Sequence, residues 1–178
     1  MSTEFLLSGF GGQGLMSLGK LIARTAIEEN KYTTWFPSYG AEMRGGTAHC
    51  FVKVSKKPIA SPFIRKADIA ILLNQPSLDK FSQRIKRGGI LICNTDLCGQ
   101  IPVRKDINII KAPLNQMALE CGNIKVANTV ALGIVLGVVP GIFKRGTIES
   151  IIHCLFPTSK KDVIQQNICA LKKGAQFG

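Results

Sequence analysis

Negative charge, aromatic side chains and paired-cysteine motifs are all scarce in this chain. Asp and Glu total 11 against 23 Lys and Arg, a formal net charge of +12, and there is one Trp and only two Tyr in 178 residues. The six cysteines, at 50, 93, 98, 121, 154 and 169, form no C-x-x-C pair, which argues against an iron–sulfur cluster or a structural zinc held by this chain. They lie mostly in apolar runs, so the reading is buried thiols rather than disulfides. His49 and His153 have no further ligand at suitable spacing and read as structural, leaving no metal site. The longest apolar run, Val130 to Val139, is too short to span a bilayer and stops at Pro140. No basic segment followed by an apolar stretch opens the chain, because Glu4 and the glycines intervene, so a cytoplasmic location is expected.

The positive excess calls for a partner. Small clusters at Lys56-Lys57, Lys160-Lys161 and Lys172-Lys173 are spread along the chain with few aromatics between them. That pattern argues against nucleic acid, which favours a concentrated basic face and stacking platforms. A spread of cations serves equally to dock an acidic protein subunit or to attract a coenzyme phosphate. With 46% hydrophobic and 19% charged residues, the composition is that of one globular domain over 1–178, without linker or repeat.

What is present in quantity is glycine, and its placement organises the chain. Phe5-Leu6-Leu7 stops at Gly9, and Gly9, Gly11, Gly12 and Gly14 lead into a helical stripe of Leu15, Leu18, Ile22 and Ala26 opposite Ser17, Lys20, Arg24 and Glu28. Strand, tight turn and helix ending near Asn30 are predicted. Gly9, Gly11 and Gly14 fit G-x-G-x-x-G, in which absent side chains let a phosphate approach backbone N–H groups or let helix and strand pack closely. Both readings stay open from the pattern alone.

Tyr32 to Phe36 reads as a second strand stopped by Pro37, and His49 to Val54 as a third, with Cys50, Val52 and Val54 on one face and His49, Phe51 and Lys53 on the other. Between them lies the polar, glycine-dense stretch 37–47. Buried strands follow at Asp68 to Leu73, Ile90 to Asn94 and Ile107 to Ile110. Ser77 can cap a helix through about Ile85, Asn128 one through Val139, and two more are expected near Thr147 to Leu155 and Asp162 to Lys173. Gly133 and Gly137 would allow a neighbour to approach closely. Strands alternating with helices predict a three-layer α/β/α, mainly parallel, Rossmann-like sheet. A dinucleotide-binding unit of that kind expects an acid at the end of the second strand to hold the ribose, and Thr33-Thr34-Trp35-Phe36-Pro37 supplies none.

Three motifs in register, Gly9-Phe10-Gly11-Gly12-Gln13-Gly14, Trp35-Phe36-Pro37-Ser38-Tyr39-Gly40-Ala41-Glu42-Met43-Arg44-Gly45-Gly46-Thr47-Ala48 and Leu73-Asn74-Gln75-Pro76-Ser77-Leu78-Asp79-Lys80-Phe81, closely resemble the gamma subunit of 2-oxoacid:ferredoxin (acceptor) oxidoreductases. The similarity covers nearly the whole chain, and its second motif looks more like the 2-oxoglutarate and branched-chain 2-oxoacid members than the pyruvate members. The resemblance implies oxidative decarboxylation of a 2-oxoacid with coenzyme A to acyl-CoA and carbon dioxide. Thiamine diphosphate, magnesium and iron–sulfur clusters are expected on alpha, beta and ferredoxin-like delta subunits, and ferredoxin or flavodoxin accepts the electrons. The gamma chain would then be an accessory domain that helps to position coenzyme A, inactive when isolated, with homodimerisation of the lone chain a substitute for missing partners.

No nucleophile–base pair or carboxylate dyad stands out, so no catalytic residue is assigned. Gly9, Gly11, Gly12, Gly14 and Arg44 are the candidates for coenzyme A or phosphate binding. Arg44 offers a planar fork that lysine cannot match, although an internal ion pair with Glu42 is the plainer reading. Trp35, Tyr39, Glu42, Asn74 and Asn94 are loop and interface candidates, the two asparagines by their position at strand ends. The competing readings are a stand-alone Rossmann-type nucleotide-dependent oxidoreductase and a basic nucleic-acid-binding protein.

Overall fold

A computed structural model describes residues 2–38, 47–157 and 159–177. The elements are β1 (Ser2–Phe10), α1 (Leu15–Glu28), β2 (Tyr32–Ser38), β3 (Thr47–Ser55), β4 (Ala67–Leu72), α2 (Gln75–Phe81), β5 (Ile85–Asn94), β6 (Asn108–Ala112), α3 (Leu114–Leu119), α4 (Ala127–Val138), α5 (Arg145–Leu155) and α6 (Lys161–Phe177). Short 3-10 turns occupy Ser82–Arg84 and Ile124–Val126. The stripe expected on α1 is buried, and Asn30, with φ 55°, ends its turn where the sequence places the stop.

The sheet has the order β2-β3-β1-β4-β5-β6. The pairs β1–β4, β4–β5 and β5–β6 are parallel, but β3 runs antiparallel to both β1 and β2. The expected mainly parallel sheet is therefore a mixed one. The reason lies in the connection spanning 39–46, which is shorter than the dozen or more residues that a parallel crossover requires, so the chain returns as a hairpin. Pro37 does not stop β2. It pairs opposite Cys50 on an edge strand, where a missing N–H is tolerated.

Alternation along β1 feeds two cores. Phe5 and Leu7 join the side chains of α1 and α3–α6, whereas Leu6 joins Phe51, Leu72, Leu78 and Phe81 on the opposite face, and all three β1 residues are fully buried. The expected faces of β3 separate in the same way, with Cys50, Val52 and Val54 in the first core and Phe51 in the second. The layers are unequal. α2 is the one α-helix among the described residues that packs into the second core.

Capping differs from expectation at two helices. Asn74, not Ser77, caps α2, its Oδ1 accepting a hydrogen bond from Ser77 N at 2.9 Å. The position before α4 is Val126, and the Asn128 side chain instead reaches out of the helix. α3, a helix of six residues, has no counterpart in the sequence pattern. Gly133 does admit a neighbour, but its opposite number is Gly174 of α6: a Cβ at Gly174 would overlap Val130 O and lie 2.9 Å from Gly133 Cα. Cys121 and Cys169 form a disulfide with Cα atoms 5.8 Å apart, which corrects the buried-thiol reading for those two, and Cys154 is exposed. Cys50, Cys93 and Cys98 are buried thiols, and burial pushes them up to about 12, 11 and 12, so they are unreactive near neutral pH.

At the amino ends of the parallel strands, where antiparallel β3 brings in Lys53, Glu4 meets Lys53 at 3.1 Å and Lys86 at 3.0 Å, and Lys86 also meets Asp68 at 2.8 Å. Burial works to raise the Glu4 carboxyl, but hydrogen bonds and charge from Lys86 and Lys53 outweigh it and hold the group below its ordinary range. For Lys86, burial works to lower the ammonium and its two carboxylates prevail, so it is raised.

Gly174→Ala is expected to destabilise the protein by about 2 kcal/mol through overpacking, against the roughly 1 kcal/mol that alanine gains in an isolated helix. Urea unfolding measures it, and an unchanged or higher midpoint would show that α4 and α6 separate without cost. The Glu4 contribution is complete above its unperturbed value of 4.5 and is lost as pH falls through its lower folded value. Glu4→Gln should accordingly cost about 1 kcal/mol at neutral pH, with the gap from wild type closing as pH falls below 4.5 through the lower folded value. A gap that does not change with pH would detach the effect from the ion cluster.

Candidate functional site

The turn after β1 divides its glycines between two tasks. A Cβ at Gly9 would overlap Gln13 Oε1 and stand 3.0 Å from Leu15 Cδ1 and 3.1 Å from Leu73 Cβ, so this glycine permits close contact between β1, α1 and the end of β4. Gln13 folds back over the turn, its Oε1 accepting a hydrogen bond from Phe10 N at 2.6 Å. Gly14 caps α1 in the left-handed region at φ 72°, and a Cβ there would be 2.5 Å from Asn128 Nδ2. Gly12, at φ 91°, has nothing within 4 Å of where its Cβ would stand. Packing thus accounts for Gly9 and Gly14, and Gly12 presents bare backbone to open space.

Three grooves meet at that open glycine. One of about 360 Å³ runs between Gly12, Ser17, Lys125, Thr129, Phe156 and Asn167, a second of about 170 Å³ is lined by Gly12, Gln13, Asn115 and Lys125, and a third of about 240 Å³ by Gly11, Gly12, Ser38 and Ala48. α1 starts here with neither a side-chain cap nor an acid in its first turn. Its leading N–H groups and dipole give the spot a positive potential, and Lys125 adds a full charge. The arrangement suits a phosphate or carboxylate. It offers no nucleophile with a base beside it.

The sequence pattern does not place two of these residues at the site: it does not single out Lys125, and it marks Asn128 only as a helix cap. Lys125 is held by the turn before α4, where Asn123 Oδ1 accepts from Lys125 N at 3.0 Å. Asn128 Nδ2 donates to Gly14 O at 2.9 Å, while its Oδ1 accepts from Thr129 N at 2.8 Å. Asn123, Lys125, Asn128 and Thr129, the polar residues around the start of an otherwise apolar helix, are the hint that the sequence contains.

Of the other candidates, Tyr39, Glu42 and Arg44 lie outside the described residues. The ends of their loop are placed, because Ser38 pairs with His49 and Thr47 pairs with Phe10, so the loop leaves and re-enters the sheet beside the glycine turn. Trp35 packs its indole over Gly19 and Cys50, with Lys20 Nζ 5.0 Å from the ring centroid. Asn94 is engaged throughout: its Oδ1 accepts from Leu114 N at 3.0 Å and Asp96 N at 3.3 Å, and its Nδ2 donates to Asn115 Oδ1 at 3.1 Å. It positions α3 and the groove wall behind it. Asn74 is fully buried, and its Nδ2 has no hydrogen-bond partner. Among the described residues no group of three His, Cys, Asp or Glu is placed to hold a metal ion. No helix among them is long and apolar enough to cross a membrane.

A mixed α/β sheet whose first strand runs through a glycine turn into a helix without a side-chain cap defines the class of domain. The chain belongs to the pyruvate ferredoxin/flavodoxin oxidoreductase family, whose model matches residues 4–177, and within it to the gamma subunits of 2-oxoacid:ferredoxin oxidoreductases. It is 34% identical over 173 residues to ketoisovalerate oxidoreductase subunit VorA of Methanothermobacter marburgensis, a match covering 96% of this chain but 35% of that protein, so the chain spans about a third of that relative's length. It is also 34% identical over 179 residues to 2-oxoglutarate synthase subunit KorC of Methanocaldococcus jannaschii, covering 98% of this chain and 92% of the relative. The crystal structure of a keto/oxoacid ferredoxin oxidoreductase gamma subunit from Geobacter sulfurreducens superposes with a TM-score of 0.84 at 28% identity, over 98% of this chain and 97% of that one.

Asn128→Ala removes the tie between α4 and the Gly14 carbonyl, and a loss of about 1 kcal/mol is expected in denaturant unfolding. Faster amide exchange at Leu18, whose N–H donates to Gly14 O, should accompany it. Stability unchanged within error would mean that water replaces the asparagine without cost.

Proposed function

We propose that this chain is the gamma subunit of a thiamine diphosphate-dependent 2-oxoacid:acceptor oxidoreductase, and that it contributes the glycine-turn groove to the binding of coenzyme A. In the assembled enzyme a 2-oxoacid, coenzyme A and an oxidised acceptor become acyl-CoA, carbon dioxide and a reduced acceptor. The near-full-length match to a 2-oxoglutarate synthase subunit supports 2-oxoglutarate as the 2-oxoacid. Thiamine diphosphate, held by companion alpha and beta subunits, supplies the electron sink for decarboxylation. Ferredoxin or flavodoxin then takes the electrons by way of clusters on companion chains.

The observation that carries the coenzyme A role is the convergence of open grooves on Gly12, with Lys125 on one side and the two ends of the Arg44 loop on the other. Coenzyme A is highly anionic. The start of α1, without a side-chain cap, and the Lys125 ammonium suit its phosphates, and Arg44 is the candidate in the adjoining stretch whose planar guanidinium could contact them bidentately.

Isolation of the protein from its native cell should yield alpha and beta companions in fixed ratio, and a chain recovered alone at low salt would overturn the subunit reading. In the reconstituted complex, Lys125→Gln and Arg44→Lys are each expected to raise the Michaelis constant for coenzyme A about tenfold with little change in that for the 2-oxoacid. Unchanged constants for both variants would remove the groove from coenzyme A binding while leaving the subunit assignment in place. Micromolar binding of NAD or FAD by the purified chain would support a stand-alone oxidoreductase instead.

A further inference from the structure

We propose that the Cys121–Cys169 disulfide is a thiol-responsive clamp on the groove wall, one that reductants open without unfolding the domain. The bond joins the turn after α3 to the middle of α6, across 48 residues of sequence. Its two sulfurs are unequally placed. Cys121 is 9% exposed, whereas Cys169 belongs to the exposed face of α6, so a thiolate can reach the bond from one side.

The clamped segment is the one that carries Lys125. α3 is only six residues long, and the chain leaves it through Gly122 at φ 86° before the Ile124–Val126 turn. Besides the disulfide, two side-chain ties connect this stretch to α6: Asn123 Nδ2 donates to Gln166 Oε1 at 2.9 Å, and Lys173 pairs with Glu120. The Lys173–Glu120 pair is exposed, where water and salt compete with it, and the Asn123–Gln166 bond is a single part-buried amide contact. The Asn123 side chain in turn holds Lys125 N, and Asn123 O accepts from Val126 N. The covalent bond is therefore the strongest constraint on how Asn123, Lys125 and Val126 face the groove that they line. α4 and α6 themselves are held by close backbone contact at Gly133 and Gly174, which does not depend on the bond.

In the opening step a dithiol reductant supplies both electrons. One thiolate attacks the exposed Cys169 Sγ, forming a mixed disulfide and releasing Cys121 as a thiolate that takes up a proton. The second thiol of the reductant, losing its proton, then closes onto the first, releasing Cys169 as a thiol and leaving the reductant as its own disulfide. The clamp is independent of which anion the groove accepts.

Thiol titration of the unfolded full-length chain should find six free thiols after dithiothreitol and at most four after treatment with oxidised glutathione, which closes the one bond and can also cap the exposed Cys154. Hydrogen exchange on the folded protein is then compared in the two states. Reduction is expected to speed exchange at Asn123, Lys125 and Val126 about tenfold, while amides of 130–135 in α4 keep their protection. Cys169→Ser should reproduce the reduced pattern under oxidising conditions, and Cys154→Ser should behave as wild type. Six free thiols after oxidation would overturn the proposal. So would equal exchange in both states, or a rise spread evenly through the sheet and α4, which would make the bond a general staple.

Discussion

The burial of β1 on both faces is the constraint from which the remaining architecture follows. Phe5, Leu6 and Leu7 are fully buried in succession, and this is met only where helices cover one side of the sheet and a second core covers the other. The strand carries its direction through to Gly9, where the missing Cβ lets Leu15, Leu73 and the Gln13 amide converge. Closeness at that point sets where α1 begins. It also sets which backbone is left open, because the chain can make this approach at Gly9 and reverse at Gly12 and Gly14 only with residues that tolerate positive φ at the last two.

The mixed sheet changes what the glycine turn can face. In a doubly wound dinucleotide fold the strand beside β1 is parallel, and its carboxyl end offers the acid that holds a ribose. Here the neighbour is β3, whose amino end, Thr47 and Ala48, lies beside the turn. The space where the acid would stand is thus flanked by the two ends of one hairpin loop. A ribose-binding geometry is replaced by a groove whose donors are backbone N–H groups and cations.

Charge is distributed to match. The cluster of Glu4, Lys53, Asp68 and Lys86 uses two of the few acids to neutralise cations at the amino ends of the parallel strands. At the carboxyl ends, where the grooves lie, Asp96 is instead committed to capping α3, its Oδ2 accepting from Asn115 N at 2.8 Å and Gln116 N at 3.1 Å. Asp96 is thereby tied to the start of α3.

Periodicity and turn chemistry made much of this legible beforehand. The Leu15, Leu18, Ile22 and Ala26 stripe, the two faces of β3 and the glycine turn follow from residues close in the chain, whose effects depend on local backbone geometry. The resemblance carried by the residues of the three motifs likewise pointed to the family to which the chain belongs. What tertiary structure decided are relations between distant residues. Whether Pro37 breaks a strand depended on β2 being an edge, and whether Asn128 caps its own helix depended on Gly14 lying 2.9 Å away across 114 positions. Cys121 and Cys169 look like two more buried thiols until packing sets their Cα atoms 5.8 Å apart, and Gly174 looks unremarkable until α4 crosses it. Sequence determines these contacts only through the whole fold, because each is set by the relative placement of elements and not by the conformation of any one segment.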